Sequence, residues 1–405
     1  MAALGLGFLY ATGIIYFVEF ALAVAGIRWN VWNVTLPALV MAIAAIVIGK
    51  PRFTRLRFTL VDILTCVSVA TYALYATIAR VWEWDFWAIW GLKARVFSEI
   101  HTIDWRFLES RWNDFAHPDY PLLLPLNYDY AALIGGGWSD RWLGAFTVAF
   151  AVALLLFVRE LAARETTPLI ASTITFAATA FALSGFIGLA EAPLIAFAGA
   201  GILFLRRAIL FDDMRAMRHG AVLAGLAACT KNEGIALLVT ITIALALSKR
   251  HLVWRFWPAF ALALPWIVIR MLHRLPTDLA RGSFATRVLH RAPHLGAASM
   301  LLLRNLNAPG VWAALLAGLL VAPHALRVRE RFVLLVFVLQ VAIYVVTYLG
   351  TPFNIEWQIA TSWPRLTAQV ATPLLVVVML MLARTLAPEH RPEDDLAHAE
   401  ARPDY

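Results

Sequence analysis

The sequence predicts an all-α protein that crosses a membrane about twelve times. Of its 405 residues, 61% are hydrophobic and 15% are charged, and the mean hydropathy is +0.73. A soluble chain would carry about 25% charged residues, so a soluble enzyme and a nucleic-acid-binding domain are excluded. Apolar runs bounded by charges recur along the whole chain, several of them near the length of a spanning helix: 4–27, 31–49, 58–79, 121–137, 142–158, 168–184, 187–205, 220–229, 235–248, 256–272, 310–323, 332–349 and 366–386.

The first run predicts a retained membrane helix, and the last residues predict a tail. Run 4–27 has no basic segment before it, contains Glu19 and is followed at once by run 31–49, unlike a cleaved signal peptide. Residues 388–405 are rich in proline and charge and predict a disordered cytoplasmic tail. The chain therefore divides into a helix pair with a basic loop, a main transmembrane module and the tail, at 1–57, 58–387 and 388–405.

Basic clusters predict the orientation of the helices. Lysine and arginine collect near 50–57, 206–218, 249–255 and 327–331, and such clusters favour the cytoplasmic side. Both termini are then cytoplasmic, and loop 80–120 lies outside. The net charge of +8 has the same origin and indicates no nucleic-acid partner. Cys66 and Cys229 both lie in apolar runs, so no disulfide framework or cysteine metal site is expected.

One run conflicts with this alternation. Three apolar runs separate residue 120 from Glu191, and an odd number of crossings would place the two on opposite sides. We resolve the conflict by predicting that 121–137 is a re-entrant or interfacial helix.

Loop 80–120 carries the first group of candidate functional residues. Glu83 and Asp85 lie among four tryptophans, and Lys93 and Arg95 follow. A helix after Asp85 would bring Asp85, Ile89, Lys93 and Phe97 near one face. An aromatic belt with solvated charges is the structural alternative, although ionisable groups this close to hydrocarbon usually have a function.

Further polar residues interrupt later runs on the same predicted side. Each also has a structural explanation, such as a helix start, a charge at a helix N-terminus or a lysine–glutamate pair. Segment 273–308 is basic although it should face outward, which suggests a phosphate ligand or a different topology. The remaining candidates are His117, Asp119, Tyr120, Glu191, Lys231, Glu233, Glu356 and Arg365.

Four motifs in this order resemble the GT-C type integral-membrane glycosyltransferases. That group includes the protein O-mannosyltransferases and aminoarabinose transferases, and the resemblance is greatest to uncharacterised bacterial members. It covers about 58–386. Two departures are the three runs before the first loop and a glutamate, Glu191, where the group often has aspartate. The motifs are Asp85 followed by Lys93-Ala94-Arg95, His-Pro-Asp-Tyr-Pro-Leu-Leu at 117–123, Thr-Lys-Asn-Glu-Gly at 230–234, and Thr351-Pro352 with Glu356-Trp357, Thr361-Ser362 and Arg365.

The resemblance implies that 58–387 is a catalytic module in a bacterial inner membrane, with an extracytoplasmic catalytic loop carrying interfacial helices. It implies transfer of a sugar, with inversion, from a polyprenyl-phosphate donor to a hydroxyl group of a lipid, glycan or protein. Asp85 would be the general base, Glu83 its substitute and Glu191 the second acidic residue. The expected substrate or phosphate contacts are Lys93, Arg95, His117, Asp119, Tyr120, Lys231, Glu233, Glu356 and Arg365.

Several points stay open at this stage. A divalent metal ion could use Glu83, Asp85, His117 and Asp119, and no other cofactor is expected. Membrane lipids are the expected environment, and the oligomeric state is undetermined. An O-antigen ligase or polymerase would instead depend on outward arginine and histidine, and a carrier of lipid-linked sugars would need polar sites on both sides of the membrane.

Overall fold

The structure is a computed structural model that describes residues 2–49, 57–183, 185–277, 283–306, 308–321, 323 and 328–386. Every regular element in these ranges is helical, which confirms the predicted all-α class. The predicted loop residues 50–56, the tail 388–405, and Arg281 and Arg327 lie outside the described residues.

The described α-helices, in chain order, are α1 Ala2–Val24, α2 Val31–Gly49, α3 Leu60–Ile78, α4 Gly91–Ile100, α5 Trp105–Glu109, α6 Leu123–Gly135, α7 Asp140–Glu165, α8 Pro168–Ala182, α9 Glu191–Phe211, α10 Met214–Ala228, α11 Asn232–Lys249, α12 Trp257–Leu272, α13 Phe284–Arg291, α14 Leu295–Arg304, α15 Pro309–Val321, α16 Arg331–Gly350 and α17 Ile355–Leu386. A π-helical turn, Phe86–Trp90, leads into α4, and short 3₁₀ turns lie at Arg111–Ala116, Arg250–Phe256 and Ala292–His294.

Seven helical stretches among the described residues are long and apolar enough to cross a membrane. The number rises to eight if the bent pair Ala298–Arg304 and Pro309–Val321 forms one span. The protein is therefore a multi-pass membrane protein, but the predicted total of about twelve crossings is not confirmed. Helices α2 and α8 are also apolar, although they are too short to be counted as full spans.

Helices α9 and α17 form the centre of the bundle, and most of their residues are buried within the protein. Small residues allow α10 to approach α9 closely. A Cβ atom at Gly201 would lie 3.2 Å from the backbone nitrogen of Ala224, and one at Gly220 would lie 3.0 Å from the Gly201 oxygen. Because lipid provides no hydrophobic force between helices, such close packing is a main source of their association.

The stretch from Asn232 to Leu272 folds back on itself. It is 41 residues long, and a straight helix of that length would measure about 60 Å, twice the hydrocarbon thickness. Instead both parts reach Asp119, whose carboxylate accepts a hydrogen bond from Asn232 at 2.9 Å and whose carbonyl accepts one from the Trp266 indole at 3.2 Å. Helices α11 and α12 therefore form a hairpin that turns at Arg250–Phe256.

Helix α6 does not cross the bundle. The backbone nitrogen of Val81, just after α3, donates to the carbonyl of Asp140, at the start of α7, over 3.4 Å. The chain between them therefore leaves and returns at one end, here called the loop end. With 13 residues, α6 is about 20 Å long and too short to span. This arrangement agrees with the predicted re-entrant or interfacial helix at 121–137.

The other end of the bundle, here called the opposite end, is held by a second group of charges. Arg206 on α9 donates to Glu165 at 2.7 Å and to Glu330 at 2.6 Å, and Arg384 donates to Glu165 at 2.5 Å. Arg206 follows Glu191 by fifteen residues of one helix, or about 22 Å. Mostly apolar helix surfaces separate the two charged ends.

Two arginines of the basic segment 273–308 cap a helix end. Arg287 donates to the Gly350 carbonyl at 2.7 Å, and Arg291 donates to the Thr351 carbonyl at 2.7 Å. These carbonyls lie at the C-terminus of α16, where helix carbonyls lack intrahelical partners and cations are favourable. Their contacts give these outward-predicted arginines a structural role.

The loop end should face the extracytoplasmic side. In a Cys66→Ser background, Ser98→Cys and Ser110→Cys should react with an impermeant thiol reagent in intact cells, because both lie in loop 80–120. Arg218→Cys, an exposed position on α10 near the opposite end, should react only after permeabilisation. The reverse pattern, or equal labelling of all three, would contradict this orientation.

Candidate functional site

Five ionisable side chains form a row of alternating charge at the loop end, here called the charge row: Asp85, Arg365, Glu191, Lys231 and Glu233. Arg365 donates to the Asp85 carboxylate, and its Nε lies 3.6 Å from Glu191 Oε1. Lys231 Nζ lies 2.9 Å from Glu191 Oε1 and 3.0 Å from Glu233 Oε1. Every member was predicted from the sequence as a site residue, although Asp85 and Arg365 are 280 residues apart.

Burial increases toward the middle of the charge row. The side chain of Glu191 is 1% exposed and that of Lys231 is 7% exposed, while Asp85 at one end is 27% exposed. Burial alone would lower the pKa of Lys231, but the carboxylates of Glu191 and Glu233 raise it above its ordinary value. Lys231 is therefore a permanent cation at neutral pH. A ligand would enter this row from its more exposed end, at Asp85 and Arg365.

Glycines set the two turns that present Glu191 and Lys231. Gly188 has a φ of +78°, and a Cβ atom there would lie 2.6 Å from Val81. A Cβ atom at Gly234 would lie 2.0 Å from the Ala227 carbonyl oxygen. Only glycine fits such an approach, so α11 starts directly against the end of α10. The junction between these helices holds Lys231 beside Glu191, the first residue of α9.

The chain after Asp85 forms a π-helical turn, Phe86–Trp90, before α4 begins. Such a turn holds one more residue than an α-helical turn and changes which side chains share a face. The predicted common face is therefore wrong in its register. Asp85 meets Arg365, whereas Lys93 is fully buried and contacts a different part of the loop. Single π-helical turns are frequently found at functional sites.

The His117–Tyr120 segment packs directly against the charge row. The Tyr120 ring stacks between the rings of His117 and Trp90, with centroid distances of 4.7 Å and 5.6 Å. Lys231 Nζ lies 6.0 Å from the centroid of the Tyr120 ring. A cation at this distance is attracted by the face of the ring. Tyr120 thus joins loop 80–120 to the junction of α10 and α11.

Lys93 organises the loop from within. Its ammonium donates to the His117 carbonyl at 2.7 Å and lies 5.5 Å from the Trp90 ring and 5.8 Å from the Tyr120 ring. Burial lowers the pKa of Lys93 to about 7, against the opposing effect of the Asp119 charge. Because the side chain is fully enclosed, a ligand could not reach it in this arrangement. The predicted phosphate contact at Lys93 therefore has a structural role here.

Two further predicted residues are not brought to the charge row. Arg95 is exposed and pairs with Glu99 at 3.3 Å on the outer side of α4. Glu356 is exposed in the first turn of α17. Both side chains lie on the solvent side of their helices, a distinction that the motif spacing alone did not provide.

Glu83 lies close enough to interact electrostatically with Arg365, Asp85 and Glu191. Burial raises the pKa of its carboxyl group, Arg365 opposes that effect, and the two carboxylates reinforce it. Glu83 is thus the carboxylate next to the charge row that holds a proton more readily than an ordinary glutamate.

The sequence analysis missed two residues that hold Asp119. Asn232 donates to the Asp119 carboxylate, and the Trp266 indole donates to its carbonyl. Asn232 lay inside a motif that we had noted, so its polarity was an available signal. Trp266 lies in an apolar run and carries no signal of its own.

Several polar atoms of the charge row lack a hydrogen-bond partner among the described residues. They are Glu191 Oε2, Glu233 Oε2 and Arg365 Nε. Buried polar groups of this kind are costly and usually mark a functional site or a bound molecule. The row can therefore offer both a cation and carboxylates to a polar ligand.

The proposed metal ligands do not converge. Within the described ranges, no three histidine, cysteine, aspartate or glutamate side chains are placed to share a metal ion. Asp85 is paired with Arg365, and Asp119 is held by Asn232. The arrangement does not fit a metal centre formed by Glu83, Asp85, His117 and Asp119, so we derive no step through a metal.

Comparison of the chain with protein-family models, with curated proteins and with solved structures found no match. The resemblance to GT-C glycosyltransferases therefore rests on the four motifs alone.

The buried Lys93 ammonium should make folding stability depend on pH. Its folded-state pKa of about 7 is below that of a free lysine, so the unfolded chain binds more protons above pH 7, and stability rises with pH there. This group should add about 1.4 kcal/mol of stability between pH 6 and pH 8. Thermal unfolding of the wild type and of Lys93→Met, measured in detergent at both pH values, should show this difference.

Arg95→Met is the matched control because Arg95 is exposed on the same helix. It should keep the pH dependence of the wild type. An unchanged pH dependence in Lys93→Met would show that Lys93 is not the titrating group.

Proposed function

We propose that this protein is a membrane glycosyltransferase. It moves a sugar from a polyprenyl-phosphate donor to an extracytoplasmic hydroxyl group. The observation that carries the proposal is the charge row, which unites the predicted base Asp85 with the cations Arg365 and Lys231 at the loop end. Residues from three of the four GT-C-like motifs form this row, and Tyr120 of the remaining motif packs against it.

Arg365 links the two halves of the proposed reaction. It is bound to Asp85 in this structure, with 17% of its side chain exposed. A donor phosphate that binds Arg365 would compete with Asp85 for the guanidinium, because arginine recognises phosphate and carboxylate with the same fork of N–H groups. Donor binding would then release the Asp85 carboxylate at the moment when a base is needed.

The proposed transfer is a single displacement. Asp85 takes the proton from the acceptor hydroxyl as that oxygen bonds to the anomeric carbon. The bond between that carbon and the phosphate oxygen breaks, and its electron pair leaves with the polyprenyl phosphate. Arg365 and Lys231 stabilise the charge that develops there, and such fixed charges often contribute the largest part of a rate enhancement. One displacement inverts the anomeric configuration.

Glu83 is a second candidate for the base, and one observation favours it. Burial raises the pKa of its carboxyl group, and a general base is most effective when its pKa lies near the working pH. Asp85, in contrast, is engaged by Arg365. The two carboxylates are distinguished by experiment below.

The finer topology is part of this proposal. Taking α11 and α12 as two passes, and α2, α8, α10 and α15 as short passes, gives about twelve crossings. Both termini are then cytoplasmic, and the charge row faces the outside of a bacterial cytoplasmic membrane. Sloping or partly buried helices can be shorter than a lipid-exposed span, since neighbouring helices satisfy their surroundings.

The rival functions fit the contacts less well. A ligase-type enzyme would need free outward arginines, yet Arg287 and Arg291 both bind backbone carbonyls at the end of α16. A carrier would need access from both sides, whereas the charge row lies about 22 Å along α9 from the charges at the opposite end. Neither rival gives Asp85 a chemical role.

Replacing the base tests the enzymatic proposal directly. Asp85→Asn keeps the size of the side chain and can still accept a hydrogen bond from Arg365, so expression and donor binding should survive. Turnover should fall by about 10²–10⁴-fold, the usual effect of losing a general base. Turnover is measured as release of polyprenyl phosphate from a panel of polyprenyl-phosphate sugars incubated with membranes containing the protein.

Glu83→Gln is the matched comparison, and it should lower turnover less than Asp85→Asn. An inactive Glu83→Gln beside an active Asp85→Asn would make Glu83 the base. Two active variants would contradict the proposed mechanism and favour the functions that need neither carboxylate.

Arg365 should bind the donor phosphate. Arg365→Gln should weaken binding of a polyprenyl phosphate by about tenfold or more, the cost of losing a hydrogen bond to a charged group. Arg384→Gln changes an arginine at the other end of the same helix and should leave this affinity unchanged. Lys93→Met should also leave it near the wild-type value, since Lys93 is enclosed. Equal weakening in all three variants would point to a general loss of structure.

A further inference from the structure

A cavity of about 360 Å³ lies near the opposite end of the bundle, far from the charge row. Its size is within the range of ligand-binding pockets. Helices α1, α2, α7, α9 and α10 surround it. We call it the basal cavity and describe its lining in two parts, an apolar body and a charged rim.

The apolar body is built from small residues on two facing helices. On α1 these are Ala3, Gly7 and Ala11, and on α2 they are Ala42 and Ala45. A Cβ atom at Gly7 would meet no other atom within 4 Å. The outer face of α2 carries exposed large apolar side chains such as Leu39 and Val40, suited to contact with lipid tails. Only α2 therefore separates much of this cavity from the hydrocarbon of the bilayer.

The charged rim is basic. It contains three arginines, Arg164, Arg207 and Arg215, and one carboxylate, Glu160. Arg164 pairs with Glu160 at 2.6 Å, and Arg207 pairs with Asp213 at 2.8 Å. In the part of the chain that the structure describes, the Arg215 guanidinium has no ion pair. The rim thus keeps an unneutralised positive charge above an apolar space.

The remaining polar groups of the cavity already bind one another. The Tyr10 hydroxyl lies 2.5 Å from Nδ1 of His219, and the His219 ring stacks on Phe204 with a centroid distance of 5.1 Å. These contacts form a closed floor rather than a set of free polar groups. A ligand would therefore be recognised by its negative charge at the rim and by its apolar part in the body.

We propose that the basal cavity binds an anionic phospholipid of the adjacent leaflet. Its phosphate contacts Arg215, with Arg164 and Arg207 beside it, and one acyl chain lies between α1 and α2. Basic pockets between membrane helices bind anionic head groups on the cytoplasmic side. The basic rim by itself would also fit the general charge bias of cytoplasmic loops, but that bias does not explain an apolar cavity directly beneath it.

This site is separate from the proposed active site, and it does not depend on the proposed function. Arg207 follows Glu191 by sixteen residues along α9, which is about 24 Å. A lipid phosphate at the rim therefore lies near the opposite face of the membrane from the charge row.

The test measures lipid retained by the full-length protein in native mass spectrometry. Dioleoyl phosphatidylglycerol and dioleoyl phosphatidylcholine are added separately at the same concentration. The wild type should retain phosphatidylglycerol about tenfold more strongly. Arg215→Ala should weaken that binding about fivefold, equivalent to about 1 kcal/mol for one arginine near a charged lipid. Equal retention of the two lipids by the wild type would overturn the proposal.

Arg218→Ala is the matched control, because Arg218 is exposed one turn further along α10 and does not line the cavity. It should bind phosphatidylglycerol as the wild type does. The same loss in Arg218→Ala and Arg215→Ala would show that the attraction is diffuse and that no site exists.

Gly7→Phe tests the apolar part independently of charge. The new ring should occupy the open space beside Gly7 and displace the acyl chain, so phosphatidylglycerol binding should fall about tenfold while the arginines stay unchanged. Thermal unfolding in phosphatidylcholine nanodiscs should confirm that the variant folds. A folded Gly7→Phe variant with wild-type lipid binding would contradict the proposal, as would equally tight binding of glycerol 3-phosphate, which has no acyl chain.

Discussion

The charge row is the interaction on which the arrangement of the loop end depends. An ionised side chain is costly at membrane depth unless it is paired, and Glu191 satisfies that requirement with two cations from different parts of the chain, Lys231 and Arg365. Each pairing fixes a helix. Lys231 fixes the junction of α10 and α11 against the start of α9, and Arg365 fixes α17 against loop 80–120 through Asp85. Removing one buried partner would leave an uncompensated charge, which typically costs about 3–5 kcal/mol.

The same requirement explains how much of the site could be predicted from the sequence. Polar residues that interrupt apolar runs must find partners, so Asp85, Glu191, Lys231 and Arg365 were identifiable without knowledge of the fold. Their mutual contacts were not identifiable, because pairing depends on which helices are neighbours. The all-α class followed from composition alone. The crossing count did not, because short and bent helices such as α6 and α15 carry an apolar pattern but no information about their direction.

Other features depended on backbone geometry that the pattern does not contain. The π-helical turn after Asp85 changes the direction of every later side chain in that loop, and Lys93 becomes a buried organiser of the His117–Tyr120 segment. Arg95, two residues further on, points outward and pairs with Glu99. A motif records residue types and spacing, and both lysine and arginine satisfied it. Only the fold distinguishes the enclosed cation from the exposed one.

The long sequence separation within the charge row has a consequence for biosynthesis. Glu191 and Lys231 are 40 residues apart, whereas Asp85 and Arg365 are 280 residues apart. At about 5–20 residues per second, a ribosome makes Lys231 within roughly 2–8 s of Glu191 but reaches Arg365 roughly 14–56 s after Asp85. During that interval the inserted chain holds Asp85 without its cation. The last helix therefore completes the site, and a nascent chain that stops before α17 keeps a half-neutralised cluster that a membrane quality-control protease could recognise.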